Sequence, residues 1–176
     1  MHRKIHKFHL FCIFVCILTG VCSIAYSYDL GDFPDFLSDP VYIVVGVGAK
    51  SSDVVGAIDI AVSLVKAGKN VCSRLDTEID ELDKDMIVVG GPCVNAVAAK
   101  LLDFPDDCME GFDLGVGKIV LFENNDAVQI LVAGATAYDT RVVSRILANY
   151  DNPKNALSGN EVTIRTYKHK ELMILD

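Results

Sequence analysis

The chain runs to 176 residues, 51% of them apolar, and carries 16 Lys and Arg against 24 Asp and Glu, a net charge of −8. Its length suits one domain with a buried core. The acidic balance excludes nucleic acid as a partner, because a phosphate backbone is held by clustered Lys and Arg, and the longest basic cluster, Arg165 to Lys170, has only three charges.

The first predicted element is a targeting segment. MHRKIHKFHLFCIFVCILTGVCSIAYSYD opens with Arg3, Lys4 and Lys7, continues apolar and ends in small residues, the build of a secretory signal. Ser23 and Ala25 place the cut after Ala25, with Ser27 as the alternative. An uncleaved anchor is the competing reading, but Phe8 to Ala25 is only just long enough to cross a bilayer, and Thr19, Gly20 and Ser23 suit a cleavage region better. Lipidation at Cys22 is disfavoured by the bulk of Val21. Residues 1–25 are therefore assigned to a signal peptide and the remainder to an exported protein. Its cleavage would leave 13 basic residues against the same 24 acidic ones, a net charge of −11.

Export changes how the cysteines read. Cys12, Cys16 and Cys22 fall in the signal, which leaves Cys72, Cys93 and Cys108. In an oxidising exterior, two cysteines closing a short loop favour pairing. A Cys93–Cys108 bridge would add about 3 kcal/mol by the loop-entropy model. The competing reading makes Cys93 a nucleophile or metal ligand at a helix start, where the helix dipole lowers a thiol pKa. It lacks a base: the mature chain keeps only His169. Three scattered cysteines and one histidine show no metal-ligand spacing either. Cys72 reads as a buried small hydrophobe, with an intermolecular bridge as the alternative.

Residues 26–40, YSYDLGDFPDFLSDP, read as an extended lead-in. VYIVVGVGA then has the continuous β-branched pattern of a strand buried on both faces. SSDVVGAIDIAVSLVKAG predicts a helix capped by Ser51 or Ser52, with Asp53 in its first turn. Val54, Ile58, Ala61, Val62 and Val65 make its apolar stripe, and Gly68 stops it. A strand over Asn70 to Leu75 follows. The acidic run DTEIDELDKD reads as a solvated loop, since it lacks the glycine and spacing of a calcium loop.

MIVVGG predicts the third strand, and PCVNAVAAKLL a helix with Pro92 at its first position. FPDDC brings Cys108 back toward that start. GVGKIVLFENNDAVQILVAGA predicts a hairpin turning at Asn124 to Asp126. ATAYDTRVVSRILANY predicts a helix in which Thr136 and Asp139 have capping-box spacing, Asp139 and Arg141 serving as helix-start and helix-surface charges. SGNEVTIRTYK supplies a last strand. The expected fold is α/β, a mostly parallel sheet with helices on both faces plus one β-hairpin, three-layered and Rossmann-like, forming a single domain over residues 41–176.

Glycine-rich strand ends are where open α/β sheets bind ligands. Gly46, Gly48, Ser51 and Gly134 are accordingly candidate ligand-facing positions. VGVGAKSS has Ser51 where a dinucleotide fingerprint needs its third glycine, and P-loop spacing is absent. There is no GxSxG elbow. The favoured reading is that these glycines make tight strand-to-helix turns; no catalytic residue, metal or cofactor is assigned.

The longer pattern is more specific. VGGPCVNAVAAKLL, the returning DDC, EGFDLGVGKIVLFENNDAVQILVAGATAYDTRVVSRILANY and LSGNEVTI resemble, in that order, a conserved domain of archaeal S-layer proteins. Those sequences carry a GGPCxN helix start, a returning cysteine, an LFENxxxxxLLVAG hairpin and a DTR…LANY helix. VGVGAKSSDVVGAIDIA fits the family's first strand-to-helix step, so the resemblance spans most of residues 41–165. It implies a secreted, non-enzymatic cell-surface protein that builds or attaches to an envelope lattice. Its partners would be other S-layer proteins, an envelope polymer or further copies of itself.

Cys93 and Cys108 match the family's cysteine pair, and Gly90, Gly91, Pro92 and Asn95 its turn and helix start. Lattice-forming members are usually much longer, and this chain has no N-x-[ST] sequon, so a small accessory, an anchoring module or a truncated relative is also consistent with the pattern. The rival function is a small exported ligand-binding protein or enzyme that uses the glycine-rich strand ends.

Overall fold

A computed structural model describes residues 27–124 and 126–166; the signal segment and His169 lie outside them. The elements are β1 (Val41–Val45), α1 (Ser51–Lys66), β2 (Val71–Leu75), β3 (Met86–Val89), α2 (Ala96–Leu101), β4 (Val116–Asn124), β5 (Ala127–Gly134), α3 (Ala137–Ala148) and β6 (Glu161–Arg165). The fold is mixed α/β: six strands in the order β2-β1-β3-β5-β4-β6, with three helices. The pairs β2–β1, β1–β3 and β3–β5 are parallel, whereas β5–β4 and β4–β6 are antiparallel. The antiparallel part thus extends past the hairpin to the last strand, a departure from an all-parallel Rossmann-like sheet.

The buried strands are the ones with no polar alternation. All four residues of β3 are buried, and alternate residues feed two separate cores. Ile87 and Val89 pack with Ile60 and Leu64 of α1 and Val143 and Leu147 of α3. Met86 and Val88 pack with Val97, Ala98 and Leu101 of α2. Fully burying each such aliphatic side chain is worth roughly 1.5–3 kcal/mol. The hairpin β4–β5 closes with Asn124 opposite Ala127, and Asp126 takes φ 63° in the turn, a conformation Asp tolerates better than most residues.

Six local expectations are corrected. The lead-in is not extended: it turns through a short 3-10 helix at Leu30–Asp32 and buries Leu30, Phe33 and Leu37 in the α1/α3 core. Phe33 meets Tyr150 edge-on at 5.2 Å, and Asp29 Oδ1 accepts from both Gly31 N–H at 2.7 Å and Gly159 N–H at 2.9 Å. Aromatic burial and this polar clasp make the segment part of the domain.

Helix α1 turns a different stripe inward. Its buried residues are Asp53, Gly56, Ala57, Ile60 and Leu64, while Val54, Ile58, Val62 and Val65 are exposed. Small residues decide it: a Cβ on Gly56 would lie 2.6 Å from Ser144 Oγ, so the glycine lets α3 approach. The N-cap of α1 is Lys50 rather than a serine, its N–H donating to Asp53 Oδ2 at 3.0 Å.

Helix α2 begins at Ala96, not at Pro92. Asn95 caps it, Oδ1 accepting from Val97 and Ala98 N–H at 3.0 and 3.2 Å while Nδ2 donates to Val89 O at 3.1 Å. Asn95 is 1% exposed, so its amide ties the helix start to the end of β3 as well as capping it.

The acidic run is only partly solvated. Asp76 and Asp85 are buried, at 7% and 8% exposure, and the carboxylates between them are exposed. Asp85 accepts from Ser38 N–H at 2.5 Å and Val128 N–H at 2.7 Å. Cys72, finally, is half-buried on β2, at the edge of the sheet, instead of in the core.

Candidate functional site

The candidate positions converge at the carboxyl ends of β1, β3 and β5, where three chain turns meet. Gly46 is buried there because the chain after β3 crosses it: a Cβ would come within 1.8 Å of Val94 O. Gly134 faces the start of α3, where a Cβ would lie 2.4 Å from Asp139 Cβ. Gly90 has φ +104°, which side-chain-bearing residues rarely adopt. These three glycines serve close chain approach. Gly91 differs, since a Cβ there meets only Gly134 O, at 3.8 Å. Gly48 and Ser51 are exposed on the turn into α1.

Cys93 and Cys108 are disulfide-bonded. Cys93 sits in the turn before α2, outside the helix, so the helix-dipole argument for a low-pKa thiol does not apply to it. The bridge holds the loop after α2 against the strand ends. Beneath it lies a cavity of about 140 Å³ reached by Lys50, Asp53, Gly91, Phe112, Gly134 and Thr136 among others. Among the described residues, no cluster of His, Cys, Asp or Glu could hold a metal ion.

Three buried carboxylates sit near these turns, and spacing alone singled out none of them as buried. Asp76 accepts from Val47 N–H at 2.9 Å, Ala96 N–H at 2.8 Å and Thr77 N–H at 3.0 Å, lashing the turns after β1, β2 and β3 together. Asp139 completes the α3 capping box, accepting from Thr136 N–H at 3.1 Å and Thr136 Oγ1 at 2.7 Å, and also accepts from Thr166 Oγ1 beyond β6. Asp53 is 2% exposed, and its Oδ1 has no hydrogen-bond partner. Burial pushes its pKa above the ordinary 3.8, opposed by the hydrogen bond from Lys50 N–H and the Lys50 charge. A position directly after a strand, as for Asp76, or three residues after a cap, as for Asp139, is the signal that could mark such residues.

Residues 65–150 match the family model described as the S-layer like family, outer domain. The chain carries an S-layer family domain. The matched stretch runs from the last turn of α1 through α3 and contains Cys93, Asn95 and Cys108. No curated protein matches the chain. Among solved structures, one titled "Structure of CpGH84D" is similar over 72% of this chain and 20% of its own length, at 19% identity and a TM-score of 0.44; the chain thus spans a fifth of that structure.

The chain also presents an apolar surface on the other side of α1, reaching the end of β1 at Val45 and Gly46. A groove of about 570 Å³ runs between the outer face of α1 and β2, lined by Val54, Ile58, Val62, Leu75 and neighbours. Ile58 is 54% exposed and Val65 59%. Strand β2 forms the edge of the sheet, so one side of its backbone has no neighbouring strand among the described residues. Arg74 lies over the Tyr42 ring at 5.3 Å, and Arg141 Nη1 meets Asp59 Oδ2 at 2.5 Å where α3 crosses α1. The ion pair is part-exposed, a setting in which such pairs contribute little.

Proposed function

We propose that the protein is a secreted, non-enzymatic surface module, acting as a structural part of a cell-envelope lattice or attaching to one, and that it docks through the outer face of α1 and the free edge of β2. One observation carries the docking surface: Val54, Ile58, Val62, Val65 and Leu75 are exposed on adjoining elements that line or border one groove. Contiguous exposed apolar surface on a folded domain marks an interaction site, and an edge strand offers backbone groups to a partner. The family match supports the surface and structural parts of the reading. The partner is another surface-layer protein, an envelope polymer or a second copy of this chain. A signal peptide over residues 1–25 and the single-domain organisation belong to the same proposal.

Sedimentation of the exported chain, alone and with envelopes stripped of their surface layer, tests it. The wild type is expected to self-associate or pellet with the envelopes, and the double variant Ile58→Glu, Val62→Glu to do neither while melting as the wild type does. A wild type that stays monomeric and in the supernatant would sink the reading.

A further inference from the structure

The described sheet ends in β2 at one edge and in β6 at the other. Strand β6 leads through Thr166 into YKHKELMILD, residues 167–176, which lie outside the described residues. In a chain of net charge −8 this stretch sets Lys168 and Lys170, with Arg165 just before them, ahead of the aliphatic run Leu172 to Leu175. The groove at β2 has the matching surface. Aliphatic Ile58, Val62 and Leu75 line it beside exposed Glu78, and Asp80 and Glu81 are exposed on the loop that follows. Arg74, the cation at its rim, is drawn over the Tyr42 ring at 5.3 Å.

We propose that Leu172 to Leu175 of one copy fills the α1/β2 groove of the next, laid antiparallel to β2 as an added strand. The inference rests on the docking face proposed above and names its occupant. Charge sets the direction. The acidic loop follows the carboxyl end of β2, and the lysines precede the aliphatic run, so Lys168 and Lys170 meet Glu78, Asp80 and Glu81 only when the tail runs back along the strand. Aliphatic side chains of the tail then cover Ile58, Val62 and Leu75, while its backbone pairs with the open edge.

Reach decides that the groove belongs to another copy. Thr166 is buried and fixed, its N–H donating to Gly115 O at 2.9 Å and its hydroxyl to Asp139. From there to Leu172 a fully extended chain covers at most about 21 Å. A strand added beside β2 lies six strand spacings from β6, about 29 Å. The tail therefore falls short of its own groove. Two different surfaces meet in such a contact, so it is heterologous, and each copy keeps a free tail and a free groove for further copies.

Sedimentation velocity of the exported chain with two variants tests the proposal. Ile58→Glu with Val62→Glu spoils the groove and keeps the tail; Met173→Glu with Ile174→Glu spoils the tail and keeps the groove. Neighbouring residues of a strand face opposite ways, so the second pair breaks whichever face enters the groove. The wild type is expected to form assemblies that grow with concentration. Each variant alone should lose at least about tenfold in self-association, the worth of one buried aliphatic side chain, with its melting temperature unchanged. Mixed, the two variants should combine one to one and stop there, because only one intact groove and one intact tail remain per pair. A tail variant that assembles as the wild type does, while the groove variant does not, would overturn the tail as occupant and leave the docking face standing. A wild type that is monomeric alone but pellets with stripped envelopes would do the same. A mixture that stays monomeric would also overturn the tail, and wild-type behaviour from both variants would remove the docking face with it.

Discussion

Asp76 and Asp53 lie near the same end of the sheet, both buried, yet their surroundings differ. Asp76 collects three backbone N–H groups from three turns, while Asp53 collects one and leaves an oxygen bare. A carboxylate whose acceptors are filled by its own chain is a brace. One that is half filled is desolvated without full compensation, and that burial raises its pKa. The difference teaches that burial alone does not say how well a carboxylate is satisfied; the count of donors does.

Asp76→Ala should show the largest effect, because three N–H groups lose a charged acceptor at once. Urea denaturation is expected to report a loss on the order of 4 kcal/mol, and a loss under about 1 kcal/mol would remove Asp76 as a brace. Next comes the disulfide wall shared with the Asp53 cavity. Cys93→Ser with Cys108→Ser should cost about 3 kcal/mol, read in the same experiment, with Cys72 as the thiol that alkylates in the unreduced wild type.

Asp53→Asn should be milder and should have a pH signature. The Asp53 pKa is raised in the folded chain, so the stability it contributes is present below 3.8 and is lost as pH rises through the folded value. The stability of the Asn variant relative to wild type should therefore grow from the acid range upward. A difference flat with pH would contradict the half-filled description. The smallest effect is expected at Ile58→Glu, on the opposite kind of surface, with stability within about 0.5 kcal/mol of wild type and only association changed.

Much of the fold was legible because its signals are local. β-branched runs marked the strands, Thr136 and Asp139 announced the start of α3, and Asn124 to Asp126 marked the hairpin turn. The side of α1 was not legible. Val54, Ile58, Val62 and Val65 form as good an apolar stripe as Ile60 and Leu64, and periodicity cannot rank two stripes; Gly56 against Ser144 settled it. The start of α2 was misplaced for a similar reason. Pro92 suits a first helical position, but Asn95 could satisfy two helix donors and the β3 carbonyl together, which only the packed strand end reveals. At the candidate site, Asp53 and Asp139 were read as helix-start residues and Asp76 as part of a solvated loop; that all three are buried depends on the turns packed over them.

By itself the sequence determined the order of strands and helices, since hydrophobic period, caps and turn residues act over a few positions. It also carried the S-layer family pattern, which is a matter of residues in order. Tertiary structure alone decided that β6 joins the antiparallel side of the sheet, that the segment before β1 enters the core, and which face of α1 stays bare. It alone separated Asp76 from Asp53. Each of those depends on which groups from distant parts of the chain come within hydrogen-bond or van der Waals reach, and no local pattern records that distance.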